Sequence, residues 1–407
     1  MADVIPFRAV RPSRDKAHLV ATRSYISYSN EQMAEKLENN PFSFLQIIHP
    51  PAANELDGVE KFEKVREEYL DFCYRGILKK DENPAFYVYE QRYGDHVFTG
   101  IISGIAVEDY KTGHIKKHEH TLPEREKMFK NYLKTTGVNA EPVLLTYTKK
   151  DKIEELLERV KKSRPEYEFS TTDKHTHTLW VIDDQNDIEI IQQEFSDVES
   201  VYIADGHHRS ASSSLLADDL RSEQKKPSDY FMAYLISDQQ MEIRAFHRLV
   251  SSLNGQTIDE FLTKIKQSFE VESLGENRYQ PHKLHEFGMY VNREWYRLTP
   301  HRENIDLEHP VEQLDCQILS SLILNPILGV EDEKTDKRVK FMGDLEGLEG
   351  LEQNVNNGSY DVGFAVYPVT VEQLKNVADN NMIMPPKSTW VEPKLRSGLT
   401  IYDILEF

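Results

Sequence analysis

The sequence predicts an α+β protein with mixed sheets, and three patterns lead to that prediction. Apolar residues recur every three or four positions from Val59 to Ile77, which is typical of one buried face of a helix. Two β-rich runs, residues 85–93 and 96–107, meet at Gly94-Asp95 and predict a hairpin. Beyond residue 113 strand patterns and helix patterns alternate, so both kinds of element are expected through most of the chain.

Short elements are predicted before the first long helix. Val4–Val10 is expected to form a strand. Ser29 is placed to cap a short helix that Pro41 would end. A further strand is predicted at Phe44–His49.

The later elements follow from the same two periodicities. Asn292-Arg293 is a turn signal between apolar runs, and Pro310 precedes a helical pattern. The predicted helices are residues 123–136, 151–163, 258–269 and 371–378, and the predicted strands are residues 142–147, 177–182, 201–204, 229–237, 241–250, 339–343 and 361–370.

Composition narrows the classes of function. The 407 residues carry 49 Lys and Arg against 69 Asp and Glu, a net charge of −20. A chain with this much negative charge repels phosphate backbones and anionic lipid. Nucleic acid and membrane are therefore not expected as partners, although a local pocket can still bind a small anion. Cys73 and Cys316 form no CxxC pair, and the first residues carry no long apolar run, so we expect a cytoplasmic protein.

The sharpest candidate site is the segment Tyr202–Arg209, where a strand is predicted to run into a helix. The first N–H groups of a helix carry partial positive charge and favour an anion. Gly206 lets a ligand approach the backbone, Arg209 can clamp phosphate oxygens, and His207 and His208 add donors. These residues predict a phosphate-binding turn; the simpler alternative is a surface junction with Asp205 as the helix N-cap.

Two His-x-His pairs raise the hypothesis of a metal site. His118 and His120 flank Glu119, and on a strand the two imidazoles would share one face. His175 and His177 form the second pair, beside Trp180, and together these histidines could hold one metal ion. For each pair taken alone, a solvated loop is the favoured explanation.

The tail segment Met384–Lys394 is a third candidate. It places Lys387, Lys394 and Trp390 within a proline-rich frame, which could close over a phosphate or stack a base. The alternative is an ordinary surface loop in which Trp390 fills a core gap.

Five motifs in order resemble one family. They are HEHTLPEREKM, HTHTLW, YIADGHHRSA, AFHRLV and MPPKSTWVEPKLRSGL. They resemble a large bacterial and archaeal family of unknown function whose hallmark is the ADGHHR signature, and the similarity spans nearly the whole chain from IPFRAVRP. The chain departs from the family pattern at Ser24-Tyr25-Ile26, where a proline-tyrosine-aspartate-like turn is expected.

Residues 113–216 resemble, more distantly, the ParB and sulfiredoxin-like superfamily. In that superfamily the glycine-histidine-arginine turn binds nucleotide phosphate, and one branch comprises kinases of free L-serine in which a glutamate activates the hydroxyl. The resemblance implies that Asp205–Arg209 form the phosphate turn and that Glu119 is the base. An insertion containing His175 and Trp180 separates these two elements.

The combined hypothesis is phosphoryl transfer from ATP or ADP to a small hydroxylated metabolite, first L-serine. Three catalytic residues are expected: Glu119, Asp205 and His208. Asp205 is also expected to be one of the ligands of a Mg²⁺ ion. Five residues are expected to bind the nucleotide: Gly206, His207, Arg209, Lys387 and Lys394. The alternatives are a nucleotide-responsive regulatory protein without catalysis, a DNA-binding protein, and a metal-dependent phosphohydrolase.

The expected organisation has three segments. Residues 1–110 form an N-terminal α+β segment, residues 111–250 a central ParB/sulfiredoxin-like module that binds nucleotide, and residues 251–407 a C-terminal α+β segment. We expect the last segment to contribute to the same cleft as the module.

Overall fold

The computed structural model describes residues 2–53, 56–222, 224–343 and 346–405. By internal packing this part of the chain forms two units. Unit 1 takes its residues from 1–116, 120–241 and 393–407, and unit 2 from 117–119 and 242–392. The three segments predicted from the sequence meet at residues 110 and 250, which are not the boundaries of these two units. The three-part division stays a prediction.

Helices and strands occur in both units, which confirms the α+β class. The described helices are α1 (Ala17–Val20), α2 (Asn30–Asn39), α3 (Phe44–Ile48), α4 (Gly58–Tyr74), α5 (Val107–Thr112), α6 (Pro123–Thr136), α7 (Asp151–Val160), α8 (Gln185–Ser196), α9 (His207–Asp219), α10 (Ile258–Ile265), α11 (Asp315–Leu319), α12 (Gly347–Asn356) and α13 (Val371–Asp379). The described strands are β1 (Val4–Ile5), β2 (Val10–Pro12), β3 (Leu78–Lys80), β4 (Phe86–Tyr93), β5 (His96–Ala106), β6 (Ile115–Lys116), β7 (Val138–Asn139), β8 (Val143–Tyr147), β9 (Tyr167–Ser170), β10 (Thr176–Ile182), β11 (Val201–Asp205), β12 (Tyr230–Ser237), β13 (Glu242–Arg244), β14 (Phe246–Val250), β15 (Phe269–Gly275), β16 (Phe287–Val291), β17 (Glu294–Pro300), β18 (Val339–Gly343), β19 (Val362–Val366), β20 (Trp390–Glu392) and β21 (Tyr402–Asp403).

Unit 1 is built on a mixed nine-stranded sheet. Its order is β6-β11-β8-β12-β5-β4-β10-β9, with β1 pairing β5. β12 is parallel to β8 and antiparallel to β5, and all eight of its residues are buried, as a central strand requires. The sheet thereby places β11, which leads into the candidate phosphate turn, directly beside β8.

Local signals in the sequence placed several elements of unit 1 correctly. Gly94, at φ +58°, lies in the two-residue turn between the paired Tyr93 and His96, so the predicted hairpin is confirmed. The side chain of Ser29 accepts the N–H of Gln32, whose own side chain accepts the N–H of Ser29. This capping box starts α2 at the predicted place.

The strand predicted at Phe44–His49 is wrong, because the segment is the short helix α3. Ser43 caps it by accepting the N–H of Leu45. Phe44, Leu45 and Ile47 are buried within the apolar core of unit 1. A short apolar run carries too few residues for its periodicity to separate a strand from a buried helix, so the cap and the packing decide.

Unit 2 is built on a six-stranded antiparallel sheet, in the order β15-β17-β16-β19-β14-β18. Asn292 and Arg293, at φ +50° and +64°, form the turn between β16 and β17 and confirm the second predicted hairpin. Within the described residues, no helix is both long and apolar enough to cross a membrane.

Unit 2 buries two ionisable clusters. Arg248, with a side chain 1% exposed, donates from Nε to Glu333 at 3.0 Å. Asp315, also buried, accepts the backbone N–H of His285 on both carboxyl oxygens, at 3.0 and 3.1 Å. Burial raises the pKa of Asp315 to about 8, since these hydrogen bonds offset only part of the cost of removing a charge from water.

The raised pKa of Asp315 predicts that stability falls with pH. Between about pH 4 and pH 8 the folded carboxyl keeps a proton that the unfolded chain has lost, so the free energy of unfolding should fall by about 1 kcal/mol per pH unit as the pH rises. Asp315→Asn should flatten this slope. Denaturant unfolding across that range, followed by the fluorescence of Trp295 and Trp390 in unit 2, measures it.

Asp361→Asn is the matched control, because the side chain of Asp361 is exposed. It should leave the slope as in the parent protein. An equal slope in the parent and Asp315→Asn proteins would contradict the assignment to Asp315.

Candidate functional site

The candidate turn joins β11 to α9 within unit 1. β11 ends at Asp205, Gly206 follows in the left-handed region at φ +107°, and α9 begins at His207. A Cβ on Gly206 would lie 3.1 Å from Cζ, Nε and Nη2 of Arg209, because the guanidinium lies against this glycine. Both the backbone conformation and the close arginine therefore call for glycine here.

Arg209 ties the turn to the residues before β8. Its Nη2 donates to Oδ2 of Asp205 at 2.8 Å, and its Nη1 donates to the carbonyls of Glu141 and Pro142 at 3.2 and 2.6 Å. These contacts with described residues use three of the five N–H groups of a guanidinium. Arg209 is thus a brace within the turn and keeps some capacity to donate to a ligand.

The N-cap of α9 is Gly206, and the structure gives it no side-chain cap hydrogen bond. The alternative that made Asp205 the N-cap is therefore wrong. Asp205 instead pairs with Arg209, with its own side chain 53% exposed. His207 is buried and His208 is half-buried, so the two predicted histidine donors differ in access to solvent.

The described part of α9 presents the features that an anion site uses. The helix has 13 residues, and no acidic residue lies in its first turn. The start of the helix carries partial positive charge, and the negative charge of Asp205 lies next to it. Arg209 neutralises part of the charge of Asp205. The arrangement can hold an oxyanion against backbone N–H groups and a guanidinium.

The first His-x-His pair does not share a strand face. Residues 117–120 lie outside the strands, so the alternation expected of a strand does not apply. His118, in unit 2, is 2% exposed, and its carbonyl accepts the N–H of Met384 at 2.9 Å. His120, in unit 1, is exposed. Glu119, in unit 2, is exposed, and its role as a base stays a prediction.

The second His-x-His pair belongs to a buried polar network in unit 1. Nε2 of His177 accepts from Nε of Arg396 at 3.2 Å, so the ring proton of the neutral imidazole is on Nδ1, which donates to the hydroxyl of Tyr89 at 2.8 Å. Burial, and then the charge of Arg396, lower the pKa of His177 to about 3. His177 is therefore neutral at physiological pH with both ring nitrogens occupied.

Asp173 completes this network. Arg396 donates to it from Nη2 at 2.6 Å. Burial would raise the pKa of Asp173, but hydrogen bonds from Thr171 and Arg396 outweigh burial and lower it. His175 lies nearby, stacked on Tyr93 at 4.5 Å between ring centroids.

The metal-site hypothesis gains no support from this geometry. Among the residues that the structure describes, no group of three or more His, Cys, Asp or Glu side chains is placed to hold a metal ion. Asp205 offers one carboxylate at the turn, which suffices as a protein ligand for a metal that arrives on a phosphate.

The tail motif is divided between the two units. Lys387, in unit 2, has φ +53° and lies with Nζ 5.4 Å from the centroid of the Phe246 ring. Trp390 is half-buried in β20, packs on Phe246, and lies so close to Gly343 that a Cβ there would clash with its ring. This packing does not match the simpler alternative, a surface loop in which Trp390 fills a core gap. Lys394 belongs to unit 1 and is exposed.

Sequence reasoning missed several residues that the structure brings to these places. No site motif in the sequence includes Glu141 or Pro142. The predicted strand that begins at the proline is a signal that could have pointed to this segment. Arg396 stood inside a recognised motif without an assigned role, and Asp173 and Tyr89 gave no signal because their partners are distant along the chain.

Solved structures with low similarity were found. Free serine kinase in complex with AMP has 12% identity and a TM-score of 0.35 over 75% of this chain and 93% of its own. A mutant of that kinase in complex with ADP gives 12% and 0.35 over 77% and 98%, and C-terminally truncated SbnI from Staphylococcus aureus gives 11% and 0.37 over 74% and 86%. Likenesses at this identity and TM-score carry no argument about activity.

A family model gives a firmer relation. A search of curated proteins found no match. The model described as "Protein of unknown function (DUF1015)" matches residues 4–317, well over half of the chain, and this range includes four of the five motifs but not the tail motif at residues 384–399. The chain therefore belongs to the DUF1015 family.

Proposed function

We propose that this protein transfers a phosphoryl group from ATP or ADP to a small hydroxylated metabolite, with L-serine as the first candidate. The observation that carries the proposal is the turn between β11 and α9, where Arg209 lies against Gly206 at the start of a helix. L-serine comes from the sequence resemblance of residues 113–216 to free serine kinases.

The turn supplies what phosphoryl transfer mainly needs, namely position and charge neutralisation. Backbone N–H groups at the start of α9 would bind phosphate oxygens, and Gly206 supplies the left-handed backbone that leads into the helix. The N–H groups of Arg209 that the described contacts do not use would add charge-assisted hydrogen bonds. His207 and His208 are proposed as further donors, and Lys387 and Lys394 as cations that neutralise the nucleotide.

Mg²⁺ fits this turn only as a partner of the nucleotide. Such an ion usually takes one or two carboxylates together with substrate phosphates, and Asp205 offers one. When bound, it would neutralise charge on the transferring phosphoryl group. Asp205 would then exchange its ion pair with Arg209 for the metal, which leaves Arg209 available to the phosphate.

The proposed step balances with one proton transfer. The acceptor hydroxyl oxygen forms a bond to the terminal phosphorus, and the bond from that phosphorus to the leaving ADP or AMP breaks. Glu119 is proposed to accept the hydroxyl proton. The products are the phosphorylated metabolite and the shortened nucleotide.

One observation favours a second function, a nucleotide-responsive protein without catalysis. Arg209 joins the turn to Glu141 and Pro142, so a phosphate that draws Arg209 away would loosen that link. Such a change could be read by a partner without any turnover. Product formation separates the two functions.

The first prediction concerns Arg209. Wild-type protein with Mg²⁺, L-serine and ATP or ADP should form phosphoserine, detected by mass spectrometry. Arg209→Ala should lose nucleotide affinity by about 10-fold or more, because a charge-assisted hydrogen bond contributes about 1.5–3 kcal/mol. Isothermal titration calorimetry measures the affinity.

Arg221→Ala is the matched control, since Arg221 is exposed and the charge change is the same. It should bind nucleotide as the wild type does. Unchanged affinity in a folded Arg209→Ala protein would sink the phosphate turn, and nucleotide binding without product would favour the regulatory function.

The second prediction concerns Gly206. Gly206→Ala should weaken nucleotide binding by about 10-fold or more, because its Cβ would lie only 3.1 Å from the guanidinium of Arg209 and its φ is strained for a side chain. Gly113→Ala shares the strain at φ +81° but has open space around the added Cβ. If Gly206→Ala and Gly113→Ala lost the same nucleotide affinity, backbone strain rather than the place of Gly206 in the turn would explain the loss.

The third prediction tests Glu119. Glu119→Gln should lower kcat by about 100-fold or more, as expected for the loss of a general base, with little change in nucleotide affinity. Glu124→Gln, an exposed neighbour, should turn over at the parent rate. A folded Glu119→Gln protein with parent kcat would remove Glu119 from the mechanism.

A further inference from the structure

Glu141 lies on a backbone segment that is fixed from two sides. The carbonyl of the preceding residue, Ala140, accepts the N–H of Gly398 at 3.3 Å. The carbonyls of Glu141 and Pro142 both accept from Arg209. The proline ring after Glu141 further restricts its backbone. The side chain of Glu141 therefore starts from a fixed position beside the turn.

The carboxylate of Glu141 is fixed at its base but little used. Its Oε2 forms an ion pair with Nη1 of Arg209 at 3.9 Å, a separation too long for a hydrogen bond. It makes no hydrogen bond to a described residue, and the side chain is 31% exposed. The acceptor positions of an ionised carboxylate thus remain for a ligand at the edge of the turn.

The charge of Glu141 also acts on the hydroxyl of Tyr25, and so does the charge of Arg125. Burial, and then the negative charge of Glu141, raise the pKa of Tyr25, whereas Arg125 lowers it. Tyr25 therefore lies near opposite charges, with its ring packed on His49 at 5.1 Å between centroids. Tyr25 stands in the segment where this chain departs from the family pattern.

The turn presents positive charge, and Glu141 beside it presents negative charge. The start of α9 and Arg209 favour an anion, while Glu141 would repel a phosphate brought against it. A cation next to the phosphoryl group satisfies both. In a β-hydroxy amine such as serine, two carbons separate the ammonium from the hydroxyl, so an ammonium on Glu141 leaves the hydroxyl close to the turn.

We propose that Glu141 binds the ammonium group of the acceptor beside the phosphate turn, so that the acceptor is a hydroxylated amine such as a hydroxy amino acid. The inference rests on the proposed phosphoryl transfer and specifies its acceptor. Glu141 is then a specificity-determining residue, distinct from the base.

The kinetic test compares two acceptors that differ only in the ammonium, L-serine and 3-hydroxypropionate. Wild-type kcat/KM should favour L-serine. Glu141→Gln should raise the KM for L-serine by about 10- to 100-fold, the loss of one hydrogen bond to a charged group, with kcat within about 3-fold. The preference for L-serine should shrink by the same factor, and Glu155→Gln, an exposed glutamate on α7, should match the wild type.

Two kinetic results would overturn the assignment. One is an unchanged KM and an unchanged preference in Glu141→Gln. The other is an equal loss of kcat for both acceptors at constant KM, which would make Glu141 a proton acceptor. Nucleotide affinity within about 3-fold of wild type shows that the turn is intact, since the substitution keeps the backbone contacts with Arg209.

A binding measurement keeps this test separate from phosphoryl transfer itself. If the wild type forms no product, calorimetry is done with L-serine in the presence of Mg²⁺ and a non-hydrolysable ATP analogue. Binding that weakens at least 10-fold in Glu141→Gln supports the ammonium subsite although transfer has failed. No binding of L-serine to the wild type, or equal binding to both proteins, overturns the subsite.

Discussion

The arrangement of the candidate site depends on the contacts of one side chain, Arg209. It lies against Gly206, pairs with Asp205, and holds the carbonyls of Glu141 and Pro142. Glycine is favoured at position 206 because its φ of +107° strains a side chain and because a Cβ would lie only 3.1 Å from the guanidinium. Arg209 also fixes the backbone at Glu141 beside the turn. A motif of consecutive residues thus gains its shape from a segment more than 60 residues earlier in the chain.

The tail of the chain supports the same unit from a second direction. Arg396, buried beside His177 and Asp173, anchors the residues that follow the tail motif. A few residues later, Gly398 donates its N–H to Ala140 and so helps to fix the segment that carries Glu141. Removing one partner of a buried charged pair leaves the other uncompensated, which is costly, so the network holds the tail in one place.

The sequence identified the phosphate turn as the main candidate, because its residue types and order suffice to suggest an anion site at a helix start. It did not find Glu141, which has no motif and gains its position only through Arg209. The histidine pairs show how little a short spacing pattern determines. Their spacing suggested a metal site, yet His177 is a buried neutral hydrogen-bonding group, because its ring nitrogens meet Arg396 and Tyr89.

The sequence by itself determined the α+β class, the two hairpins, the capping box at Ser29 and the family. These are set by neighbouring residues, through turn conformations, caps and the periodicity of buried faces. Only the tertiary structure decided that residues 44–48 are helical, that Arg209 braces the turn, and that Arg396 meets His177. Each of these depends on burial or on partners far along the chain, and local pattern carries no information about which distant groups will meet.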